Sequence, residues 1–205
     1  ITIFDVGANI GNYANTLVNA FPNSKIYAFE PNPLTFDLLI EKTKDIDSVQ
    51  CFKIGFSNQR GSSEIFSYES DEASEHASLY RDVMSDLHND KRISSFKIEL
   101  ETLDEFCQDH NIEKIDFIKI DTEGHEYSVL SGASNLIKSK AIDVIQFEFN
   151  EMNVISRTFL KDFYEILYDN YEIYRLDSKK LIHLKEYSTT NEIFQYQNII
   201  AIKRH

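Results

Sequence analysis

The stretch ITIFDVGANIG (residues 1–11) decides the fold class, because a short β-branched run leads directly into a turn bounded by Gly7 and Gly11. Residues 12–21 then carry apolar side chains at intervals of three to four positions, which is the spacing of a helix. A strand, a glycine turn and a helix in immediate succession predict the first unit of an alternating α/β chain.

The same alternation extends along the chain from this unit. Residues 25–29 form a second predicted strand, and Asn32 followed by Pro33 predicts the N-cap and first position of a helix. Further strands are expected at residues 49–54, 63–68, 96–100, 115–120 and 143–149, and then at 171–176, 180–185 and 198–203 in a tail without helices. Right-handed crossovers between such units predict an open, mostly parallel α/β sheet, and the tail predicts an antiparallel C-terminal edge.

The composition is that of an ordinary globular chain. The 205 residues are 42% apolar and 27% charged, with 6 Gly and 3 Pro, which argues against a collagen-like or disordered chain. We therefore assign residues 1–205 to a single domain. Residues 70–91 have low hydrophobicity and no clear period, and we expect residues 70–96 to form an insertion or lid. Because Ile1 enters a strand at once without a preceding Met, we also expect further residues upstream.

The charge balance and the cysteine count restrict the partners and the compartment. The chain has 21 Lys and Arg against 34 Asp and Glu, a net charge of −13, which opposes binding to phosphate backbones and predicts no nucleic-acid partner. No apolar run approaches the roughly 18 residues of a membrane span. Cys51 and Cys107 do not make a disulfide framework, so a reducing, cytoplasmic setting is expected.

The first candidate ligand-binding element is the turn at residues 5–11. Gly7 and Gly11 permit a close backbone approach to a ligand, and the helix that follows presents free N–H groups. The turn is not the dinucleotide-binding pattern G-x-G-x-x-G, because Asn9 stands where that pattern has its second glycine. A plain connection between strand and helix is the alternative.

Glu30 lies at the tip of the second predicted strand, about 20 residues after the glycine turn. An acid at this place can accept hydrogen bonds from a ribose diol. The alternative is a surface acid that caps the next helix. Taken together with the turn, Glu30 favours a nucleoside ligand. Residues 55–58 end the third strand, where Phe56 is either an apolar wall for a base or part of the core.

The segment DTEGHE (residues 121–126) follows a strand that is expected to be buried, and it bunches four ionisable side chains at one strand end. Such clusters tend to hold shifted pKa values, which favours a functional role for Asp121 and Glu123. Glu126 also favours a helix N-terminus electrostatically. The strand that ends at Glu148 is expected to face the same crevice.

Three of these motifs together resemble the FkbM-type methyltransferases, a family of S-adenosylmethionine-dependent enzymes with a Rossmann-like class I methyltransferase fold. They are the turn at residues 5–11, Glu30-Pro31-Asn32, and IKIDTEG (residues 118–124) followed by EYSVLSGA (residues 126–133). The similarity covers residues 3–149, and the tail is less diagnostic. The resemblance implies a seven-stranded sheet with an antiparallel final strand, S-adenosylmethionine as the cofactor, and O-methylation of a hydroxyl on a sugar, glycan or other small natural product.

The resemblance also implies residue roles. The turn would hold the methionine portion of the cofactor, Glu30 the ribose hydroxyls, and Ser57 would lie near the adenine. The positions assigned to cofactor binding are Asp5, Gly7, Ala8, Asn9, Gly11, Glu30, Pro31, Asn32, Ser57 and Asp121. Asp121 would border the methyl-transfer site with Glu123 beside it, and either carboxylate, if desolvated, or His125 would accept the proton of the hydroxyl.

Several alternatives remain open at this point. His125 could instead point into solvent, and nothing in the spacing of the acidic residues demands a metal ion, so none is predicted. A nicotinamide-dependent oxidoreductase is disfavoured by the incomplete glycine pattern and by the absence of a Tyr-x-x-x-Lys pair. A non-catalytic binding module of the same fold is a third possibility. The identity of the acceptor and the oligomeric state are not encoded in any readable motif.

Overall fold

The computed structural model describes residues 1–68, 77–82 and 93–204. Its eleven strands are β1 (Thr2–Val6), β2 (Lys25–Phe29), β3 (Val49–Phe52), β4 (Gly55–Phe56), β5 (Gly61–Tyr68), β6 (Ile93–Glu101), β7 (Ile115–Ile120), β8 (Ile142–Phe149), β9 (Tyr171–Leu176), β10 (Leu181–His183) and β11 (Gln197–Lys203). The α-helices that lie wholly within the described residues are α1 (Asn12–Ala20), α2 (Pro33–Thr43), α3 (Leu103–Asp109), α4 (Glu126–Ser131), α5 (Ser134–Lys138), α6 (Met152–Ser156) and α7 (Leu160–Leu167).

The main sheet has eight strands in the order β10-β9-β11-β8-β7-β1-β2-β3. Strands β3, β2, β1, β7 and β8 pair in parallel, whereas β11 pairs antiparallel with both β8 and β9. From β1 the chain adds β2 and β3 toward one edge of the sheet, and it then adds β7 and β8 on the other side of β1. The order of the strands therefore switches between β1 and β7. In open α/β sheets this switch point is where a ligand crevice forms.

The mostly parallel sheet with an antiparallel C-terminal edge is confirmed, but the expected count of seven strands is wrong. The eighth strand is β10, which pairs antiparallel with β9 at the outer edge. Its side chains are exposed, so a short hairpin of this kind buries little apolar surface. Strand β10 falls within the strand expected at residues 180–185, so the count of seven implied by the family resemblance omits a strand that the sequence pattern itself indicated.

Local capping signals in the sequence are reproduced where helices begin. The Asn32 side chain accepts a hydrogen bond from the backbone of Leu34, with Pro33 in the first turn of α2. Thr102 accepts from the backbone of Glu105 at the start of α3. The helical segment after β7 is divided into α4 and α5 near Gly132, where a Cβ would lie 2.1 Å from the carbonyl oxygen of Ser57.

The aromatic side chains of β1, β2, β3 and α3 pack into one cluster under the switch point. Phe106 of α3 is 1% exposed and meets Phe29, Phe52 and Phe56 edge to face at centroid distances of 4.9, 5.1 and 5.6 Å. Edge-to-face pairs add to the free energy gained by burying the rings. This cluster, defined here as the Phe106 cluster, supports the floor of the crevice.

A second sheet of three strands stands beside the crevice. Strand β6 pairs in parallel with β4 and antiparallel with β5. Of the insertion expected at residues 70–96, residues 70–76 and 83–92 lie outside the described part of the chain, and residues 93–96 belong to β6. The segment 77–82, here called the strap, is held by Ser78, whose backbone exchanges hydrogen bonds of 2.8 and 3.0 Å with Phe66.

Two further observations concern the chain as a whole. Among the described residues, none of the helices is both long and apolar enough to cross a lipid bilayer. Cys51 and Cys107 are unpaired thiols, the first half-buried and the second buried among the side chains beneath the sheet.

Candidate active site

A cleft of about 730 Å³ opens at the carboxyl ends of β1, β2 and β7, on the switch point of the sheet. Its lining is polar at the strand ends and apolar where the small sheet and the strap contribute. The polar and turn residues along it are Gly7, Asn9, Glu30, Thr35, Asp121, Thr122, Glu123 and His125. The apolar wall consists of Ile54, Phe56, Ile65, Ala77, Leu79, Ile98 and Leu100.

The turn after β1 is folded tightly onto the neighbouring strand ends. The amides of Gly7 and Ala8 both donate to the carbonyl of Phe29, at 3.0 and 2.9 Å. Gly7 has a φ of +80°, and a Cβ on it would lie 1.8 Å from the carbonyl oxygen of Asp121. The turn thus brings the ends of β1, β2 and β7 into direct backbone contact, which only glycine at this position permits.

Glu30 is buried and its carboxylate is oriented by the backbone. Its Oε2 accepts from the amide of Asn9 at 3.0 Å, and its Oε1 accepts from the amide of Asn32 at 2.9 Å. Burial raises the pKa of Glu30 to about 7. Because the side chain of Asn32 caps α2, the alternative of Glu30 as a surface cap does not apply. Each carboxylate oxygen keeps a second lone pair that can accept a hydrogen bond from a hydroxyl group of a ligand in the cleft.

Asp5 lies behind the turn and is fully buried. No hydrogen-bond donor among the described residues reaches either of its carboxyl oxygens. Burial raises its pKa to about 6, while the nearby ammonium group of Lys119 acts in the opposite direction. Lys119 itself donates to Oδ2 of Asp121 at 2.6 Å and lies over the ring of Tyr13, so it neutralises the carboxylate that reaches the cleft.

The loop from residue 121 to residue 126 is shaped by a side chain whose role sequence reasoning missed. Glu126 is 2% exposed, and its Oε1 accepts from the Thr122 amide, the Thr122 hydroxyl and the Gly124 amide at 2.8, 3.1 and 3.1 Å. Burial raises the pKa of Glu126 to about 7. The Glu126 carboxylate therefore fixes the loop that carries Asp121 and Glu123. The sequence position of Glu126 predicted only an electrostatic effect at the helix N-terminus.

His125 does not point into solvent, and both of its ring nitrogens are engaged. Nε2 lies 3.0 Å from the hydroxyl of Ser57, and Nδ1 lies 3.3 Å from the hydroxyl of Tyr80. Burial lowers the pKa of His125 to about 4. A neutral imidazole held in this way ties the strap and the end of β4 to the loop after β7, and its low pKa weighs against its acting as a proton acceptor.

The structure brings most of the predicted site residues together. Those that line the cleft are Gly7, Asn9, Glu30, Pro31, Asp121, Glu123 and His125. Those that support it from behind are Asp5, Ala8, Gly11, Asn32 and Ser57. Sequence reasoning missed Tyr80, which contacts His125, and the apolar wall apart from Phe56, most of which comes from the small sheet and the strap. Within the described residues, no three His, Cys, Asp or Glu side chains converge as metal ligands would.

The buried carboxyl groups predict that stability depends on pH. Glu30, Glu126 and Glu148 have folded-state pKa values of about 7, 7 and 8, above the usual 4.5, so the folded state binds more protons and stability falls as pH rises. The lowered pKa of His125 has the opposite effect on stability, because the folded state then binds fewer protons. That effect is confined to pH values below the ordinary histidine pKa of 6.5. We expect the free energy of unfolding to fall by about 1–3 kcal/mol between pH 6.5 and 8. Urea denaturation across this range measures it; Glu126→Gln should flatten the slope and Glu113→Gln, exposed before β7, should not.

The chain matches a family model described as "Methyltransferase FkbM domain" over residues 5–173. Among curated proteins it is 28% identical over 145 residues to the hexuronic acid methyltransferase AglP of Haloferax volcanii, covering 70% of this chain and 54% of that protein. It is 22% identical over 163 residues to the 2-O-methyltransferase NoeI of Sinorhizobium fredii, covering 73% and 64%. The chain therefore spans less than two thirds of the length of either relative.

Solved structures share the fold at low sequence identity. A precorrin-6y C5,15-methyltransferase from Geobacter metallireducens superposes with a TM-score of 0.52 at 12% identity, covering 100% of this chain and 80% of that one. The N-terminal domain of human METTL16, in complex with SAH, gives 0.52 at 10% identity, covering 98% and 60%. These similarities establish a class I methyltransferase architecture for the sheet and its helices.

Proposed function

The chain belongs to the FkbM methyltransferase family, and from that premise we propose that it is an S-adenosylmethionine-dependent O-methyltransferase. The proposed acceptor is a hydroxyl on a sugar, a glycan or another small natural product. The names of the two curated relatives, which specify a hexuronic acid and a 2-O position, support a sugar hydroxyl. The observation that carries the proposal is the cleft on the switch point, with the oriented carboxylate of Glu30 at its wall.

The residues of the cleft fit S-adenosylmethionine in both their shape and their polarity. Glu30, held by two backbone amides, presents acceptor lone pairs for the two ribose hydroxyls. The apolar wall offers a slot for a flat base, and the polar side, from the turn to Asp121, suits the methionine portion. Bound there, the cofactor would supply an electrophilic methyl group on its sulfonium.

The residues around Asp121 would then govern the transfer. Asp121, paired with Lys119, and Glu123 would border the reacting methyl group and align the acceptor oxygen behind it, at about 3 Å. Glu126 would keep both carboxylates in place through the loop that it shapes. His125 would hold the strap and Ser57 against this loop, and so would position the cleft wall.

We also propose that the acceptor is not a nucleic acid and that the reaction takes place in the cytoplasm. A net charge of −13 opposes the approach of a phosphate backbone. Two unpaired cysteines suit a reducing compartment, where thiols persist.

Calorimetric titration tests the cofactor class directly. The protein without added metal is titrated with S-adenosylmethionine and, separately, with NADH. Saturable binding of S-adenosylmethionine alone supports the proposal. Binding of NADH alone would favour the oxidoreductase alternative, and binding of neither would favour a non-catalytic module.

The role of Glu30 gives a residue-level prediction. Replacing Glu30 with alanine removes the acceptor for the ribose hydroxyls and leaves the amides of Asn9 and Asn32 without their partner, so we expect S-adenosylmethionine affinity to fall by about 10- to 100-fold. Calorimetry on the purified variant measures this loss. Glu41→Ala, an exposed change on α2 with a side chain that is 71% accessible, is the control and should bind like the parent. Unchanged affinity in Glu30→Ala would refute the ribose assignment.

A further inference from the structure

A row of polar side chains crosses the carboxyl edge of the sheet beside the cleft. The register of β7 and β8 places Lys119 opposite Gln146 and Ile120 opposite Phe147, so the next position brings Asp121 beside Glu148. On the other side of β8, Asn198 of β11 is paired with Glu148. Adjacent strands lie about 4.8 Å apart, so Glu148 stands between Asp121 and Asn198 in one row.

The two carboxylates in this row have different partners. Oδ2 of Asp121 forms an ion pair with the ammonium group of Lys119 at 2.6 Å. Glu148 receives neutral donors, the side-chain amide of Asn150 at 3.4 Å and the hydroxyl of Tyr196. The hydroxyl oxygen of Tyr196 in turn accepts from the side chain of Asn198 at 3.2 Å. Glu148 is half-buried and Tyr196 is 67% exposed, so an acceptor molecule can reach this edge from solvent.

We propose, resting on the methyltransferase function proposed above, that Glu148 accepts the proton of the hydroxyl group that is methylated, and that Glu148, Tyr196 and Asn198 bind a neutral sugar. In the balanced step, the acceptor oxygen forms a bond to the methyl carbon while the carbon–sulfur bond breaks. The bonding pair stays on sulfur, giving S-adenosylhomocysteine, and the hydroxyl proton passes to the carboxylate of Glu148, which releases it to solvent.

The electrostatic surroundings of Glu148 suit a base. Burial, followed by the charge of Asp121, raises the pKa of Glu148 to about 8, against the smaller effect of Lys119 and with Glu123 and Tyr196 also facing it. A proton acceptor is most effective when its pKa lies near the working pH. Since the carboxylate form exists above the pKa, methyl transfer should accelerate as pH rises through about 8.

The same charges restrict the acceptor. The charges of Asp121 and Glu123 both act on the carboxylate of Glu148, and Lys119 is paired with Asp121, so three carboxylates and one ammonium group lie close together. A carboxylate on the acceptor would meet like charges here, whereas sugar hydroxyls can donate to these groups. The exposed ring of Tyr196 offers an apolar face beside its hydroxyl. A neutral glycoside should therefore be preferred over a hexuronic acid, by about tenfold or more at pH 8.5.

The experiment compares Glu148→Gln with Glu113→Gln, the same chemical change at an exposed position before β7. Both variants should bind S-adenosylhomocysteine within about twofold of the parent by calorimetry. The acceptors are the methyl glycosides of glucose, mannose and rhamnose, with glucuronic acid as the anionic probe. Their binding is measured by titration into protein saturated with S-adenosylhomocysteine. Methyl transfer to them is assayed separately, with S-adenosylmethionine as the donor. Glu148→Gln should lower kcat by about 100-fold or more and abolish the rise in rate near pH 8; Glu113→Gln should do neither.

The outcomes separate this inference from the function on which it rests. If the parent protein does not bind S-adenosylhomocysteine, the proposed function itself fails. If it binds but Glu148→Gln keeps the parental kcat and pH profile, the assignment of the base fails alone. A preference for glucuronic acid, or no binding of any neutral glycoside to the loaded protein, would overturn the neutral-sugar site.

Discussion

Replacing Gly7 with alanine should destabilise the folded protein by about 3 kcal/mol or more and abolish S-adenosylmethionine binding. The added Cβ would lie 1.8 Å from the carbonyl oxygen of Asp121, so the ends of β1 and β7 must move apart. Gly7 also has a φ of +80°, where any other residue is strained. Urea denaturation measures the loss of stability, and for a chain of this length the melting temperature should fall by about 6–12 °C.

Gly61→Ala is the matched control for this change. Gly61 begins β5, has an ordinary φ, and has no atom within 4 Å of the place a Cβ would occupy. Alanine there should leave stability unchanged or raise it by up to about 1 kcal/mol, because it restricts the unfolded chain. Equal behaviour of the two variants would mean that the turn after β1 tolerates displacement, and that the close approach to Asp121 does not define the cleft.

The parts of the fold that sequence analysis anticipated are those with local signals. The alternation of strands and helices follows from apolar periodicity, and the cap at Asn32 follows from its residue type and the proline after it. Parallel pairing then requires the carboxyl ends of the strands to meet at one edge. That single rule predicts that the turn at residues 5–11, Glu30 and the loop after β7 lie in one crevice.

The apolar wall of the cleft could not be anticipated in this way. Ile65 and Ile98 belong to strands paired across some thirty residues of chain, and Ala77 and Leu79 reach the wall through the strap. Such pairings depend on tertiary contacts that leave no repeat in the sequence. Within the stretch expected to form an insertion, Ala77 and Leu79 could not be told from surface positions by their sequence.

The pKa shifts of the site residues could not be predicted from the sequence either. Spacing marked Glu30 and the cluster at residues 121–126 as functional, but it did not show which side chains are desolvated. Burial raises the pKa of Glu126 and lowers that of His125, although they are neighbours in the chain. A residue's pKa depends on the partners that folding supplies, so the division between loop-shaping, positioning and proton-accepting groups needs three-dimensional contacts.

Replacing Phe106 with alanine should lower the free energy of unfolding by about 3–5 kcal/mol, since it empties the centre of the Phe106 cluster. The ring is 1% exposed and touches Phe29 and Phe56 at centroid distances of 4.9 and 5.6 Å. These two side chains line the cleft, so their loosening should also weaken S-adenosylmethionine binding. Thermal melting, with an expected fall of roughly 10 °C, and calorimetry of the cofactor measure the two effects.

Phe21→Ala provides the comparison, because the Phe21 ring ends α1 with 45% of its surface exposed and leaves little cavity when removed. It should cost less than about 1 kcal/mol. A loss of stability in Phe106→Ala no greater than in Phe21→Ala would show that the surrounding rings collapse into the vacated space. If Phe106→Ala loses about 3–5 kcal/mol as expected but the folded variant binds S-adenosylmethionine like the parent, Phe106 stabilises the fold without shaping the cleft.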